Sequence, residues 1–192
     1  LVNSETLTVS GSAAALTDKN AGSYTTTVTY TLGNGTGGGL ATNYSLANST
    51  NVAAQITPKA LTVTGSTAAS RAYDGSTSAT ITVGTLSGFV GSETVTATAA
   101  GTFDSANAGS RTATAVYTLA NGTGGGLAGN YSLANSSLSA SITPKALTIT
   151  APTIASKVYD ASTAAGTLTV GTLSGLVNSE TLTVSGSAAA LT

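Results

Sequence analysis

Residues 176–192, LVNSETLTVSGSAAALT, repeat residues 1–17 letter for letter, so the chain returns to its starting sequence after 175 residues. A shorter cycle runs inside the long one. ITPKALTVT at 56–64 comes back as ITPKALTIT at 142–150, an offset of 86, and NGTGGGLATNYSLANS at 34–49 comes back as NGTGGGLAGNYSLANS at 121–136, an offset of 87. A fixed period of this length means a small folded unit copied in tandem, each copy burying its apolar face within itself and against its neighbours. Neighbouring copies differ at many positions, whereas the seventeen residues comparable two copies apart are identical, which points to duplication of a pair of modules. Framed on Ile-Thr-Pro-Lys, residues 1–58 are the C-terminal part of one module, 59–144 a complete module, and 145–192 the N-terminal part of the next.

The period restricts the fold because about 87 residues make a marginal core, burying only some 60–65% of the unfolded surface. No cysteine is present to staple it. The chain is 41% hydrophobic and 7% charged, and about a third of it is Ser and Thr. It therefore has the apolar residues that a disordered chain lacks. A net charge of −1 offers no basic stripe for nucleic acid and no field for an anionic membrane surface. No apolar run approaches the roughly 20 residues of a membrane-spanning helix. The absence of oxidisable Cys and Met suits a long-lived extracellular polymer.

Alternation is of period two throughout. In Thr25 to Leu32, the residues Thr26, Val28, Tyr30 and Leu32 share one face, with Thr25, Thr27, Thr29 and Thr31 on the other. In the equivalent Thr112 to Leu119, Tyr117 and Leu119 point inward while Thr112, Thr114 and Thr118 point out. Asn34-Gly35, Asn121-Gly122, Asp74-Gly75 and Ala108-Gly109 supply turns between such runs. The GTGGGL segments at 35–40 and 122–127 lack the Lys-Ser/Thr ending and following helix of a phosphate-binding loop, and fit hairpin loops instead. Ser12 to Leu16 and its copy Ser187 to Leu191 are the stretches that would form a single helical turn. Pro58 and Pro144 interrupt strands at the module junctions, and without a Gly- or Pro-rich linker there the modules should be closely coupled. The expected architecture is all-β, with tandem immunoglobulin-like β-sandwich modules in an elongated rod. The alternative is a β-grasp-like module with one short helix.

The string KALTVTGSTAASRAYDGSTSATITVGTLSGFVGSETV, followed by GTFDSANAGS, LAGNYSL and a closing ITP, resembles the YDG-type repeat of very large bacterial surface adhesins. Its markers are Tyr73-Asp74-Gly75, Asn130-Tyr131 and Ile142-Thr143-Pro144-Lys145, and one copy departs to Tyr159-Asp160-Ala161. The resemblance implies a filamentous-haemagglutinin-like secreted protein displayed on the cell surface and associated with the outer membrane. It implies a stalk or filament role, with no catalytic residue to carry over.

The residues themselves point the same way. A hydrolytic triad needs a base that titrates near neutrality, usually His, and the chain has none. Acids are too sparse for a glycosidase pair or a calcium loop, so neither enzyme activity nor a metal or other cofactor is expected. Lys59, Asn130 and Glu93 are the residue types of a Lys–Asn isopeptide cross-link, but nothing in their spacing places them together. Six tyrosines recurring at module spacing read as core with the hydroxyl at the rim. Tyr24, which aligns with Arg111, is the more exposed, and these two are the candidate ligand contacts if each module binds a surface glycan or protein. Outward Thr ranks resemble ice-binding arrays, yet an 87-residue period cannot stack one rank per 4.8 Å rung. The expected partners are adjacent repeats of the same chain and, head to tail, other copies. Nucleic acid and membrane insertion are not expected.

Overall fold

The computed structural model describes residues 1–191, and these residues contain strands and two single 3-10 turns, Ala41–Asn43 and Ala128–Asn130, but no α-helix. The strands are β1 (Leu7–Ala13), β2 (Gly22–Asn34), β3 (Ser49–Ile56), β4 (Lys59–Thr64), β5 (Thr67–Ala68), β6 (Arg71–Ala72), β7 (Ser78–Ala79), β8 (Ile81–Thr82) and β9 (Thr85–Ser87). Further along are β10 (Val95–Phe103), β11 (Gly109–Asn121), β12 (Tyr131–Leu133), β13 (Ser136–Thr143), β14 (Thr148–Ile149), β15 (Thr153–Ile154), β16 (Leu168–Thr169) and β17 (Leu173–Ser174). The fold is all-β, as the alternation requires. The helical turn expected at Ser12 to Leu16 does not form: Ser12 and Ala13 end β1, and Ala13 lies opposite Val28 on β2. Cross-strand pairing outweighs the weak helical preference of three alanines.

Two compact units divide the chain, and they are not the sequence modules. The first comprises Leu1–Thr62, Leu86–Ala97 and Thr118–Ala134. In it, β1, β2 and β3 form an antiparallel meander, and β12, β4 and β9 form a second sheet in which β12 runs parallel to β4, Tyr131 opposite Lys59. Its core is Leu61, Val95 and Tyr131, with the Phe89 ring edge-on to Tyr131 at 5.9 Å between centroids. That is the edge-to-face geometry the ring quadrupoles favour.

A β-bulge explains why the repeat offset shifts between 86 and 87. Residues 49–58, STNVAAQITP, are one longer than their counterpart SSLSASITP at 136–144. In the β2–β3 ladder, Thr26 pairs with Val52 but Val28 pairs with Ser49, so the extra residue is looped out of β3 and the rest of the strand keeps its face. Asn51 takes φ +57° there, a conformation Asn tolerates better than most residues with a β-carbon.

The second unit comprises Val63–Thr85, Thr98–Tyr117 and Asn135–Thr192. Its main sheet has the order β6-β13-β11-β10-β7. Strand β13 lies antiparallel to β11 and parallel to β6, so Ile142 has Gly109 on one side and Arg71 on the other. The alternation along β11 is complete: Ala113 and Ala115 are fully buried, while Thr112, Thr114, Val116 and Thr118 face water. Ala79, Phe103, Ala113 and Ile142 form the core, with Ala68, Tyr73, Ile81 and Ala140 packed around it. Alanine is the inward residue because one bulky ring, Phe103, fills the layer and close packing leaves no room for a second. The short ladders β5–β8, β15–β16 and β14–β17 also belong to this unit. Repetition shows even in detail, since Thr148–Ser174 and Thr62–Ser87 hydroxyl pairs both meet at 2.7 Å.

The glycine-rich loops clip onto the threonine just ahead of β1 or β10. Gly122 N–H donates to Gly126 O, Gly126 N–H to Thr123 O, and Thr123 N–H to Thr94 Oγ1, and the loop at 35–39 repeats this pattern on Thr6. Their amides are thus spent internally, which is the opposite of an open phosphate cradle. A β-carbon at Gly126 would run into the carbonyl oxygen of Thr94, whereas one at Gly129 would meet open space. Gly126→Ala should therefore lower unfolding stability by about 1–3 kcal/mol, and Gly129→Ala should stay within about 0.5 kcal/mol of the parent, as read from urea unfolding midpoints.

Candidate functional site

The Asn130-Tyr131 pair, which ends the second glycine-loop segment, lines a cavity at the module junction. Asn121 Oδ1 accepts the Ala128 N–H at 2.8 Å, which holds the 3-10 turn and presents Asn130 and Tyr131. Asn130 Oδ1 then accepts the Ala21 N–H at 2.8 Å, and its Nδ2 donates to Asn20 Oδ1 at 2.8 Å. Beside it, Tyr131 donates to Glu93 Oε2 at 2.6 Å and accepts the Val90 N–H at 3.1 Å. Around a cavity of about 350 Å³ stand Asn20, Lys59, Glu93, Asn130 and Tyr131. Asn20 and Ala21 come before Pro58 in the chain and Asn130 and Tyr131 after it, so one side-chain amide ties two consecutive modules inside the first unit.

The second unit has the equivalent cavity, about 270 Å³, lined by Asn107, Lys145, Val177, Glu180 and Tyr73. Here Tyr73 donates to Glu180, and in the first unit Tyr44 donates to Glu5. In all three Tyr–Glu pairs the hydrogen bond to the carboxylate is the main cause that pushes the phenol above its ordinary value, with burial adding to it. Lys59, Glu93 and Asn130, whose types match a cross-linking triad, do share one cavity. Yet the Asn130 amide is committed at both ends, Glu93 accepts from Tyr131, and Lys59 is exposed. The group works as a hydrogen-bonded clasp.

The Tyr-Asp-Gly segment is a turn closed by its own side chains. Asp74 Oδ1 accepts the Ser76 N–H at 2.8 Å, an Asx turn with a left-handed residue in its middle, and Gly75 takes φ +77°. Arg71 pairs with Asp74, donates to Ser76 O, and lies over the Phe103 ring at 5.6 Å. The departure at 159–161 keeps this geometry: Lys157 pairs with Asp160 at 2.9 Å, Asp160 Oδ1 accepts the Ser162 N–H at 3.0 Å, and Ala161 is forced to φ +57°. The basic residue three before each Asp is visible as spacing, R-A-Y-D and K-V-Y-D, but its role is not, because Arg and Lys differ in identity and only the Tyr-Asp pair repeats. The carboxyl of Asp74 is held below its usual value by the Ser76 N–H first and by Arg71, and that of Asp160 by Lys157 first.

Tyr24 and Arg111, the candidate ligand contacts, occupy equivalent positions and perform the same local task. Tyr24 donates its hydroxyl to Asn20 O at 2.7 Å, and Arg111 Nε donates to Asn107 O at 2.6 Å, each gripping the carbonyl four residues back. Both are half-buried. Burial, with the charge of Asp18, pushes the Tyr24 phenol up. Arg111 also lines a shallow groove with Ser70, Ser110, Thr112, Ser139 and Ser141. Among the described residues no three His, Cys, Asp or Glu side chains gather as a metal site.

The family model of the YDG domain matches residues 57–139 and again residues 143–192. No curated protein and no solved structure matches the chain.

Asn130→Ala removes two partly buried hydrogen bonds and should cost about 1–2 kcal/mol in denaturant unfolding. Ala161→Gly relieves a left-handed alanine, worth about 1–2 kcal/mol, against a larger unfolded-state entropy of about 0.4–1 kcal/mol, so a net gain of about 0.5–1 kcal/mol is expected. Because the folded-state values of Asp74 and Asp160 are depressed, their contribution is present above the ordinary carboxylate value of 3.8 and is lost as pH falls through the folded value. The melting temperature should drop on acidification below about pH 4, and Asp74→Asn should flatten that drop.

Proposed function

Because this chain belongs to the YDG domain family, we propose that it is a structural stalk segment of a giant bacterial cell-surface adhesin. In this reading it lies outside the cell and spaces a distal binding domain from the surface, or builds a surface fibre. The observation that carries it is Asn130 reaching across Pro58 to Asn20 and Ala21. A stalk transmits position and force, so its modules must be joined by contacts that resist bending, and here the joint is a bidentate amide in place of a flexible linker. The near absence of charge and the lack of Cys, Met and His fit a role in which side chains hold strands together and catalyse nothing.

A ligand-binding module is the second reading, favoured by the Ser- and Thr-lined groove beside Arg111. Against it, Nε and Nη2 of Arg111 already serve the Asn107 and Ala108 carbonyls. Glycan-array binding lost on Arg111→Ala or Tyr24→Ala would favour this reading. Ice binding, the remaining alternative, would show as thermal hysteresis. For the stalk, small-angle scattering of the chain should give the profile of a stiff rod, and Asn130→Ala should shift it toward a bent, more flexible particle. A profile of independent beads in both proteins would overturn the stalk reading.

A further inference from the structure

The Tyr-Asp-Gly turn of the complete module stands against the module that follows it. Tyr73 N–H donates to Thr143 O at 2.8 Å, which ties the turn to the closing strand β13 just before Pro144. The Tyr73 hydroxyl donates to Glu180, a residue of the next module, and all of these groups lie within the second unit. Glu180 ends a tight turn, Val177 to Glu180, in which its N–H donates to Val177 O at 2.9 Å. Asn178 and Ser179 take φ +49° and +60° there, the pair of left-handed residues that a type I′ turn requires.

Gly75 touches the same turn. A β-carbon built on it would run into Nδ2 of Asn178 and would lie 3.1 Å from Cγ1 of Val177. Its identity is therefore set twice, by φ +77° and by the neighbour that occupies the space of the missing β-carbon. The backbone reason is not absolute, since Ala161 holds the equivalent turn at φ +57°. The steric reason belongs to the contact: a side chain at 75 must turn Asn178 away and then crowd Val177, which is half-buried.

The sequence varies the two turns together. The module with Tyr73-Asp74-Gly75 carries Val90-Gly91-Ser92-Glu93 and is followed by Val177-Asn178-Ser179-Glu180. The module with Tyr159-Asp160-Ala161 carries the Val-Asn-Ser-Glu turn, and a module with that turn, Val2 to Glu5, is followed by the one with Gly91. The 175-residue cycle thus sets glycine in the first turn against asparagine in the second, and alanine against glycine. One side chain enters each contact, not two.

We infer that the Tyr-Asp-Gly turn is the docking surface for the Val-Asn-Ser-Glu turn of the following module, and that residue 75 set against residue 178 determines which of the two module types can follow. Tyr73 and Glu180 supply the hydrogen bond, and both residue types recur in every copy of their turns. Discrimination comes from steric exclusion at the third residue of the motif, a contact built against the wrong partner. It concerns neighbours along one chain and holds whether or not the repeat serves as a stalk.

The test uses the full chain, with hydrogen exchange read by mass spectrometry over residues 176–182, which include the docked turn. Tyr73→Phe should lower the protection of that segment about fivefold. Gly75→Ala should lower it about tenfold, and adding Asn178→Gly should bring it back to within about threefold of the parent, because residues in contact do not act additively. A second measurement uses the absence of cysteine from the chain. The β-carbon built at Gly75 lies 3.4 Å from Cγ of Asn178, within reach of a disulfide, so Gly75→Cys with Asn178→Cys should close one within a single chain in oxidised glutathione. Additive effects of Gly75→Ala and Asn178→Gly, unchanged exchange in Tyr73→Phe, or disulfides formed only between chains would each overturn the inference.

Discussion

Strand β13 is used on both edges at once, antiparallel to β11 and parallel to β6, and the module depends on that double use. Hydrogen bonding on two sides brings Ile142 over Phe103 and Ala113 and draws Tyr73 in beside them. Arg71 is placed by the same pairing. Its backbone lies opposite Ile142, which leaves its guanidinium to cover Phe103 and to close the Tyr-Asp-Gly turn. A core of four buried residues is small, so a fold of this size relies on backbone ladders and on turns closed by their own side chains.

The junction uses the same economy. Instead of a hydrophobic seam between modules, one amide satisfies an Asn side chain and a backbone N–H of the preceding module, and the adjacent Tyr–Glu pair fixes the wall beside it. Asn130 reaches them because the glycine loop and the short 3-10 turn place it, and that loop needs glycine where its backbone crosses Thr94. The repeated string NGTGGGLAGNY therefore reads as one device: a clip, a spacer turn and a clasp. Its copy at 34–44 makes the clip again, and Tyr44 again meets a glutamate, Glu5.

Much of this was legible in the chain, for a physical reason. Strand faces are set by period-two alternation because side chains on a pleated backbone must point alternately to core and water, and β11 obeys it residue by residue from Thr112 to Thr118. The Ser12 to Leu16 segment was not legible, since alanine has no side chain with which to prefer a face and its partner on β2 decides its conformation. Tyr24 and Arg111 stood out as an aligned pair of polar, bulky residues, but their shared task of holding a carbonyl depends on where the turn at 20–23 and 107–110 brings that carbonyl.

The sequence by itself determined the period, the all-β character, the Ile-Thr-Pro-Lys junctions and the turns, because each is a local property of composition or of identity at a distance. Only the tertiary structure decided that Lys59, Glu93 and Asn130 share a cavity, that the amide of Asn130 serves the preceding module, and that compact units cross module boundaries. Those facts depend on parallel pairings, β12 with β4 and β13 with β6, between segments about 70 residues apart. Parallel partners of that separation leave no turn signal between them, so nothing local in the chain records which edges will meet.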